Sequence, residues 1–365
     1  MNTNMPWNGG EMRFSAKIGS AIFALILGST QAIAQSFMPA LQQAIEGARK
    51  EGALTLSYGS AHDGAQGAER LRDRINKKYG TNLKFTFAPG PSGPEMAARI
   101  AQEAAAGKAA STDIFFTSMT NENARLFEEI DWRDYLPDLP AEAMKYNKHG
   151  VAFATLLIGI TYNTALVSPD KAPQALTDLL KPEWKGKVAA RVSTTFMAYL
   201  ALPEVLGPEG AVDFFRKLGA QADGQIRCGS SERISSGEFL AFFPDCGDYE
   251  ARKGQRTGAP LGHIIPREAG GVAVWPIGIP RNSAHPNAAR LFVTYMLSRE
   301  GQDFLWDSDA TDYWRLPGSR IAPEMDKYRA RGVNFIDQTQ LESDRPDLLN
   351  VQAQMFQALQ QGLAK

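Results

Sequence analysis

The sequence predicts an α/β protein of two lobes, each a mixed sheet flanked by helices, with two strands crossing between them. Three observations carry this expectation. The chain has 365 residues, more than one hydrophobic core ordinarily organises. Short apolar runs alternate with polar turns and amphipathic helices, the sign of strands joined by crossovers. Finally, two long β-branched apolar runs, residues 151–161 and 271–279, bracket the middle of the chain. Taken as an outward and a return crossing, they make residues 158–274 a second lobe inserted in a first lobe of residues 35–157 and 275–365. Such an architecture leaves a cleft between the lobes, where small ligands bind preferentially and around which hinge closure is possible.

Each element has its own local justification. Arg13 and Lys17 precede a short apolar run, and an Ala-x-Ala pattern ends at Ala34. That is a signal peptide over residues 1–34, cleaved near Ala34, so the mature protein is expected in the periplasm. The run is too short to span a bilayer. Leu41, Ala44, Ile45 and Ala48 then give a helix stripe that ends near Gly52. A strand over 54–58 stops in a polar turn holding His62, and a helix follows over 68–79. A second strand, 83–87, ends in the turn from Pro89 to Glu95, which opens a helix through Met96, Ile100 and Ala104. A third strand, 113–116, closes at Thr117-Ser118. Beyond the first crossing, a strand over 188–192 ends at Ser193-Thr194-Thr195, expected to open a helix through Phe196 and Leu200. Further on, the apolar run Phe239-Leu240-Ala241-Phe242-Phe243 breaks at Pro244 into Cys246-Gly247-Asp248-Tyr249. A strand that stops abruptly in a Gly-containing polar turn is how an open α/β sheet presents a pocket wall. His285-Pro286 starts an amphipathic helix carrying Ala289, Phe292, Tyr295 and Met296, and the tail beyond Pro323 is helical.

Composition excludes several classes. Hydrophobic residues make 44% and charged residues 22% of the chain, with a net charge of −1, so no strong field recruits nucleic acid. The two cysteines, Cys228 and Cys246, form an even pair in an exported protein, which favours a disulfide. Closing that short loop would remove roughly 3 kcal/mol of unfolded-chain entropy. Neither a Gly-x-Ser-x-Gly elbow nor a His-Glu-x-x-His motif is present. The four histidines, His62, His149, His263 and His285, show no catalytic spacing. A secreted enzyme is the competing functional class, since triads are spatial rather than sequential.

Tyr162-Asn163-Thr164, then Pro182-Glu183-Trp184-Lys185-Gly186-Lys187-Val188, then Ser298-Arg299-Glu300-Gly301-Gln302 occur in that order. Together with the signal peptide, this ordered set resembles the periplasmic solute-binding proteins of ABC importers, in the branch that includes ferric-iron-binding proteins. The resemblance covers most of the mature chain and implies the type II periplasmic-binding-protein fold, with an inner-membrane permease as partner. Iron-binding members hold the metal with a histidine, a glutamate and two adjacent tyrosines, plus an anion at a helix N-terminus. Carried over position by position, the histidine matches His62. The glutamate falls near Ser118 or Met119, where no acid stands. The tyrosine pair falls on Asp248-Tyr249, and the anion turn on Ser193-Thr194-Thr195. For Fe(III) as cargo, the implied protein ligands are therefore His62, Asp248 and Tyr249.

The anion features stand apart from the iron set. Free amides and hydroxyls at Ser193, Thr194 and Thr195 suit a carboxylate or phosphate if a helix begins there; otherwise the hydroxyls simply cap it. Arg191 lies two residues earlier on the same strand face as Ser193 and could add a guanidinium. Ser92 and Gly93 open the comparable turn in the first lobe, although Ser92 and Glu95 have capping-box spacing. Tyr249 is either a ligand or a core tyrosine, and Trp275 and residues 312–315 are candidate cleft walls. The leading expectation is a monomeric, non-enzymatic receptor closing over a small anion of carboxylate, phosphate or phosphonate type. A ferric ion with a synergistic anion is the alternative, with no resident cofactor in either case.

Overall fold

The computed structural model describes residues 37–58, 63–116 and 119–364. The expected signal peptide, His62 and Ser118 lie outside the described residues.

Among the described residues, strands Ala53–Tyr58 and Lys84–Pro89 pair in parallel, with Tyr58 opposite Pro89 at the edge where both strands end. Leu56 bridges Ile114 in parallel. Phe115–Phe116 then joins Ile277 and Gly278 antiparallel, connecting this parallel layer to the larger first sheet. That sheet runs in the order Phe335–Asp337, Gly270–Gly278, Gly150–Ile158, Met144–Lys145. All nine residues of Gly150–Ile158 are buried, which explains why the run shows no polar alternation: both of its faces are covered. Its register with Gly270–Gly278 shifts between Trp275 and Pro276, as expected where proline removes a ladder donor.

The second sheet runs Leu261–Ile264, Ile160–Asn163, Ala241–Phe243, Val188–Arg191, Gly224–Ile226. Its first two pairings are antiparallel and its last two parallel. Both sheets are flanked by helices, which gives the mixed-sheet α/β architecture read from the sequence. Passage between the sheets is sharper than expected. Strand Gly150–Ile158 lies in the first sheet and Ile160–Asn163 in the second, so the chain changes sheets at Gly159. A Cβ there would stand 2.3 Å from the Ile264 carbonyl oxygen, so only glycine fits this approach. The return run was read as a crossing strand over 271–279. Instead Gly270–Gly278 pairs only within the first sheet, and the chain returns through residues 265–269.

Each sheet has its own core. Leu54, Leu56, Phe116, Phe153, Phe292 and Phe304 cluster around the first, and Ile160, Tyr199, Phe215, Phe243 and Leu359 around the second. Full burial of each such side chain contributes about 1.5–3 kcal/mol. The last helix, Asp347–Leu363, follows the return strand in sequence yet packs with the second core through Leu348, Met355 and Leu359.

Candidate functional site

The site is organised by the turn after strand Ala241–Phe243, where Pro244 ends the ladder. Asp245 comes next and is fully buried. Its carboxylate accepts from the amides of Gly159 and Gly247, both at 3.0 Å, and from Thr161 Oγ1 at 2.9 Å. The two amides share Oδ1, and His263 Nε2 stands 3.0 Å from Oδ2, the oxygen that Thr161 also reaches. Cys246 is bonded to Cys228, as the even cysteine pair led one to expect. Gly247 follows at φ 112°, and a Cβ on it would press on Leu156 at 3.0 Å. Glycine is therefore required twice over at this position, by backbone and by space.

Helix Asp248–Arg256 then begins. Expected as a candidate ligand, Asp248 is instead buried and committed. One oxygen accepts the Leu157 amide at 3.1 Å, and the other pairs with Arg252 at 2.7 Å. The i,i+4 spacing on the first helical turn explains that pairing. Tyr249, half-buried, stands edge-on to Trp275 with ring centroids 5.1 Å apart. Its hydroxyl donates to Glu250 Oε1 at 3.1 Å, and the same oxygen accepts the Gly229 amide at 2.8 Å. Burial raises the Tyr249 pKa well above its ordinary value, and the neighbouring Glu250 charge adds to the rise. Glu250 is itself raised by burial, against the pull of its two donors.

A second tyrosine enters from the first sheet. Tyr58 ends strand Ala53–Tyr58, its ring 4.8 Å from Phe87 and 5.1 Å from Phe116. Burial raises its pKa, and the Asp309 carboxylate raises it further. Asp309 acts on Tyr249 in the same direction. It is buried at the end of helix Arg299–Asp309, accepts from Ser308 Oγ at 2.8 Å, and lies 3.6 Å from Lys253 Nζ. Tyr58, Glu250 and Asp309 were not singled out from the sequence. Tyr58 sits at the carboxyl end of a strand, a position that could have flagged it. Asp309 comes from a remote helix, and no local pattern marks it.

The expected anion site is not assembled. Residues 193–197 form no α-helix; a short 3-10 turn, Ala198–Ala201, stands where the helix was expected. Thr194 Oγ1 donates to the Gln352 carbonyl at 2.9 Å, and the Met197 and Ala198 amides donate to Gln352 Oε1 at 2.8 and 3.0 Å. Gln352 of the last helix thus takes the Thr194 hydroxyl and the two amides that follow the turn, while Ser193 is half-buried and Thr195 exposed beside them. Arg191 is buried rather than aimed at a ligand. Its guanidinium donates to the carbonyls of Ser193 at 3.0 Å, Asp245 at 2.8 Å, and Thr195. Burial pushes its pKa down to about 10, with Asp245 opposing. In the first sheet's turn, Ser92 and Gly93 open helix Gly93–Ala105, and Glu95 takes both the amide and the hydroxyl of Ser92, at 3.0 and 2.8 Å. The capping spacing read from the sequence is therefore realised, and it places an acid where an anion would sit.

The family model described as bacterial extracellular solute-binding protein matches residues 109–327. The Fe(3+)-binding periplasmic protein of Serratia marcescens is 24% identical over 280 residues, covering 73% of this chain and 81% of that protein. Iron-bound HitA from Pseudomonas aeruginosa superposes with a TM-score of 0.61 at 18% identity, covering 83% of this chain and 99% of that one. AfuA from Actinobacillus pleuropneumoniae, solved with fructose-6-phosphate, gives a TM-score of 0.56 at 19% identity, covering 71% of this chain and 83% of that one. At such identities the structural likenesses establish the periplasmic-binding-protein fold. A match over more than half the chain establishes the family, whose members bind solutes and carry out no reaction. The chain belongs to the bacterial extracellular solute-binding proteins.

Proposed function

We propose that this protein is the periplasmic receptor of an ABC importer and that its cargo is ferric iron, taken up with an accompanying anion. In this reading a monomer of two lobes, one built on each sheet and the second completed by the last helix, closes about Gly159 and the 265–269 return. The observation that carries the choice of a cation is the donor set around Tyr249. The Tyr249 phenol stands 3.1 Å from the Glu250 carboxylate, and phenol and carboxylate oxygens are what a hard cation selects. Of the groups expected to hold a bare anion, Arg191 is spent on backbone carbonyls and the Thr194 hydroxyl on the Gln352 carbonyl. The iron-binding description of the Serratia marcescens relative supports the same choice. The organic-anion expectation accordingly becomes the second reading. It is favoured by the single tyrosine at the 248–249 position and by the sugar phosphate held by AfuA.

The two readings separate in one experiment. Fe(III) supplied as its citrate complex is added to the metal-free protein, and the visible spectrum is recorded. Iron bound through a phenolate gives a red-brown charge-transfer colour, and Tyr249→Phe should abolish it. A colourless protein that binds fructose-6-phosphate or another phosphorylated sugar in the calorimeter would reverse the assignment.

A further inference from the structure

The disulfide does more than close a loop, because its two ends meet at the carboxylate that holds the Tyr249 phenol. Cys228 is exposed, whereas Cys246 is buried in the turn before Tyr249. Both sulfurs and the Glu250 carboxylate lie within 4.8 Å of one another. Gly229, the residue after Cys228, is exposed at φ 86° and has nothing near its α-carbon that a side chain would meet. Its amide donates to Glu250 Oε1 at 2.8 Å. The bridge is the covalent link that fixes this otherwise open segment beside the turn. Glu250 Oε1 in turn accepts the Tyr249 hydroxyl at 3.1 Å. A single oxygen therefore receives one donor from the bridged loop and one from the candidate cargo ligand.

We propose that the Cys228–Cys246 bridge is a positioning element for Tyr249, acting through the Gly229 amide and Glu250, and that a dithiol reductant lowers cargo affinity by breaking it. The inference rests on Tyr249 touching the cargo. In the chemical step, a dithiol delivers two electrons and two protons to the S–S bond. Cys228 and Cys246 are left as thiols, and the reductant is left as its own disulfide. With the bridge gone, the 228–230 loop loses its only covalent tie to the turn, the Gly229 amide leaves Glu250, and the carboxylate is free to swing off the phenol. Outer-shell partners of this kind set the orientation of a metal-binding group, and their loss typically weakens metal binding about 10–100-fold.

The test uses the full mature chain in five forms: wild type, wild type reduced with dithiothreitol and then freed of it without air before iron is added, Cys228→Ser/Cys246→Ser, Glu250→Ala, and the last two combined, with Glu250→Gln for comparison. Two readouts are taken on each: Fe(III) affinity by competition with citrate, and hydrogen exchange of the 227–230 amides. The reduced, bridge-free and Glu250→Ala proteins should each bind iron about 10–100-fold more weakly. Glu250→Gln, which keeps an acceptor oxygen for the Gly229 amide and the Tyr249 hydroxyl but not the carboxylate charge, should lose less affinity than Glu250→Ala and keep the Gly229 amide protected. Bridge loss and Glu250→Ala combined should be no worse than either alone. Gly229 should exchange faster in all three weakened forms while circular dichroism stays native. Unchanged affinity in the reduced and bridge-free proteins, or additive losses, would overturn the proposal. Should the wild type bind no iron at all, the cargo assignment fails on its own. The exchange readout then decides the link from bridge to Glu250, and a Gly229 amide equally protected with and without the bridge refutes it.

Discussion

Asp245 concentrates more of the structure than any residue that touches the candidate cargo. Its carboxylate holds the amide of Gly159, where the chain changes sheets, while its own amide donates back to the Gly159 carbonyl at 3.1 Å. Burial alone would raise its pKa, but the nearby His263 charge and the hydrogen bonds from His263, Gly159 and Thr161 hold it below 3.8. Burial would likewise depress His263, yet the Asp245 carboxylate raises it above 6.5, with Asp248 adding and Arg252 opposing. The signs set a window. A raised histidine contributes stability fully below pH 6.5 and loses it as pH climbs through the folded-state value. A depressed aspartate contributes above pH 3.8 and loses it as pH falls through its own folded-state value. The pair is therefore at full strength between those two limits. Asp245→Ala should cost about 3–5 kcal/mol, since it strands a buried partner. Melting temperatures recorded from pH 5 to 8 should fall toward the alkaline end in the wild type and flatten in the variant. An equally steep profile in the variant would remove the pair from the account. Sequence alone could not reach this residue, because a short aspartate after a proline looks like any polar turn. Arg191 misled for a related reason: its strand position was legible, but which oxygens its guanidinium would find depends on a turn 54 residues away.

At the scale of elements, what was legible follows from how many residues spell each one. The all-buried run Gly150–Ile158 and the helix Pro286–Leu297 are long enough for their pattern to outweigh local accidents. Strands of two or three residues, such as Met144–Lys145 and Gly224–Ile226, carry no period to read and exist only because a neighbour offers its ladder. The misread helix after Ser193 has a more particular cause. Its leading amides are satisfied by Gln352 rather than by continuing into an α-helix, and a partner about 155 residues distant leaves no local trace. Met197 and Ala198 are wholly buried. Gln352→Leu should thus orphan two amides, at about 1–3 kcal/mol each, and lower the urea midpoint accordingly. Gln352→Glu keeps an acceptor oxygen and should lose less. If the two variants unfold at the same denaturant concentration, the amide contacts are not what the glutamine supplies.

For the whole molecule, the consequence of that contact is that the chain's last helix closes the second sheet after the chain has already returned to the first. Asp347–Leu363 crosses Gly207–Gln221 where two glycines face each other. A Cβ on Gly219 would stand 2.3 Å from the Leu359 carbonyl oxygen, and one on Gly362 the same distance from that of Arg216. Those backbones cannot give way as a flexible side chain would, so the close crossing is available only to glycine. Through it, Leu348, Met355 and Leu359 reach the core that also holds Phe214, Phe215 and Phe243. Their burial contributes about 5–9 kcal/mol, comparable with the whole margin of about 5–15 kcal/mol by which a domain is stable. A chain ended after Pro346 should therefore fail to hold the second sheet, while the first sheet keeps its own cluster of Leu54, Phe153 and Phe292. Hydrogen exchange resolves the two outcomes. Loss of protection in 160–163, 188–191 and 241–243, with 150–158 still protected, is the expected result. A truncated protein that protects both sheets and still responds to Fe(III) would mean that the last helix decorates the second sheet instead of completing it.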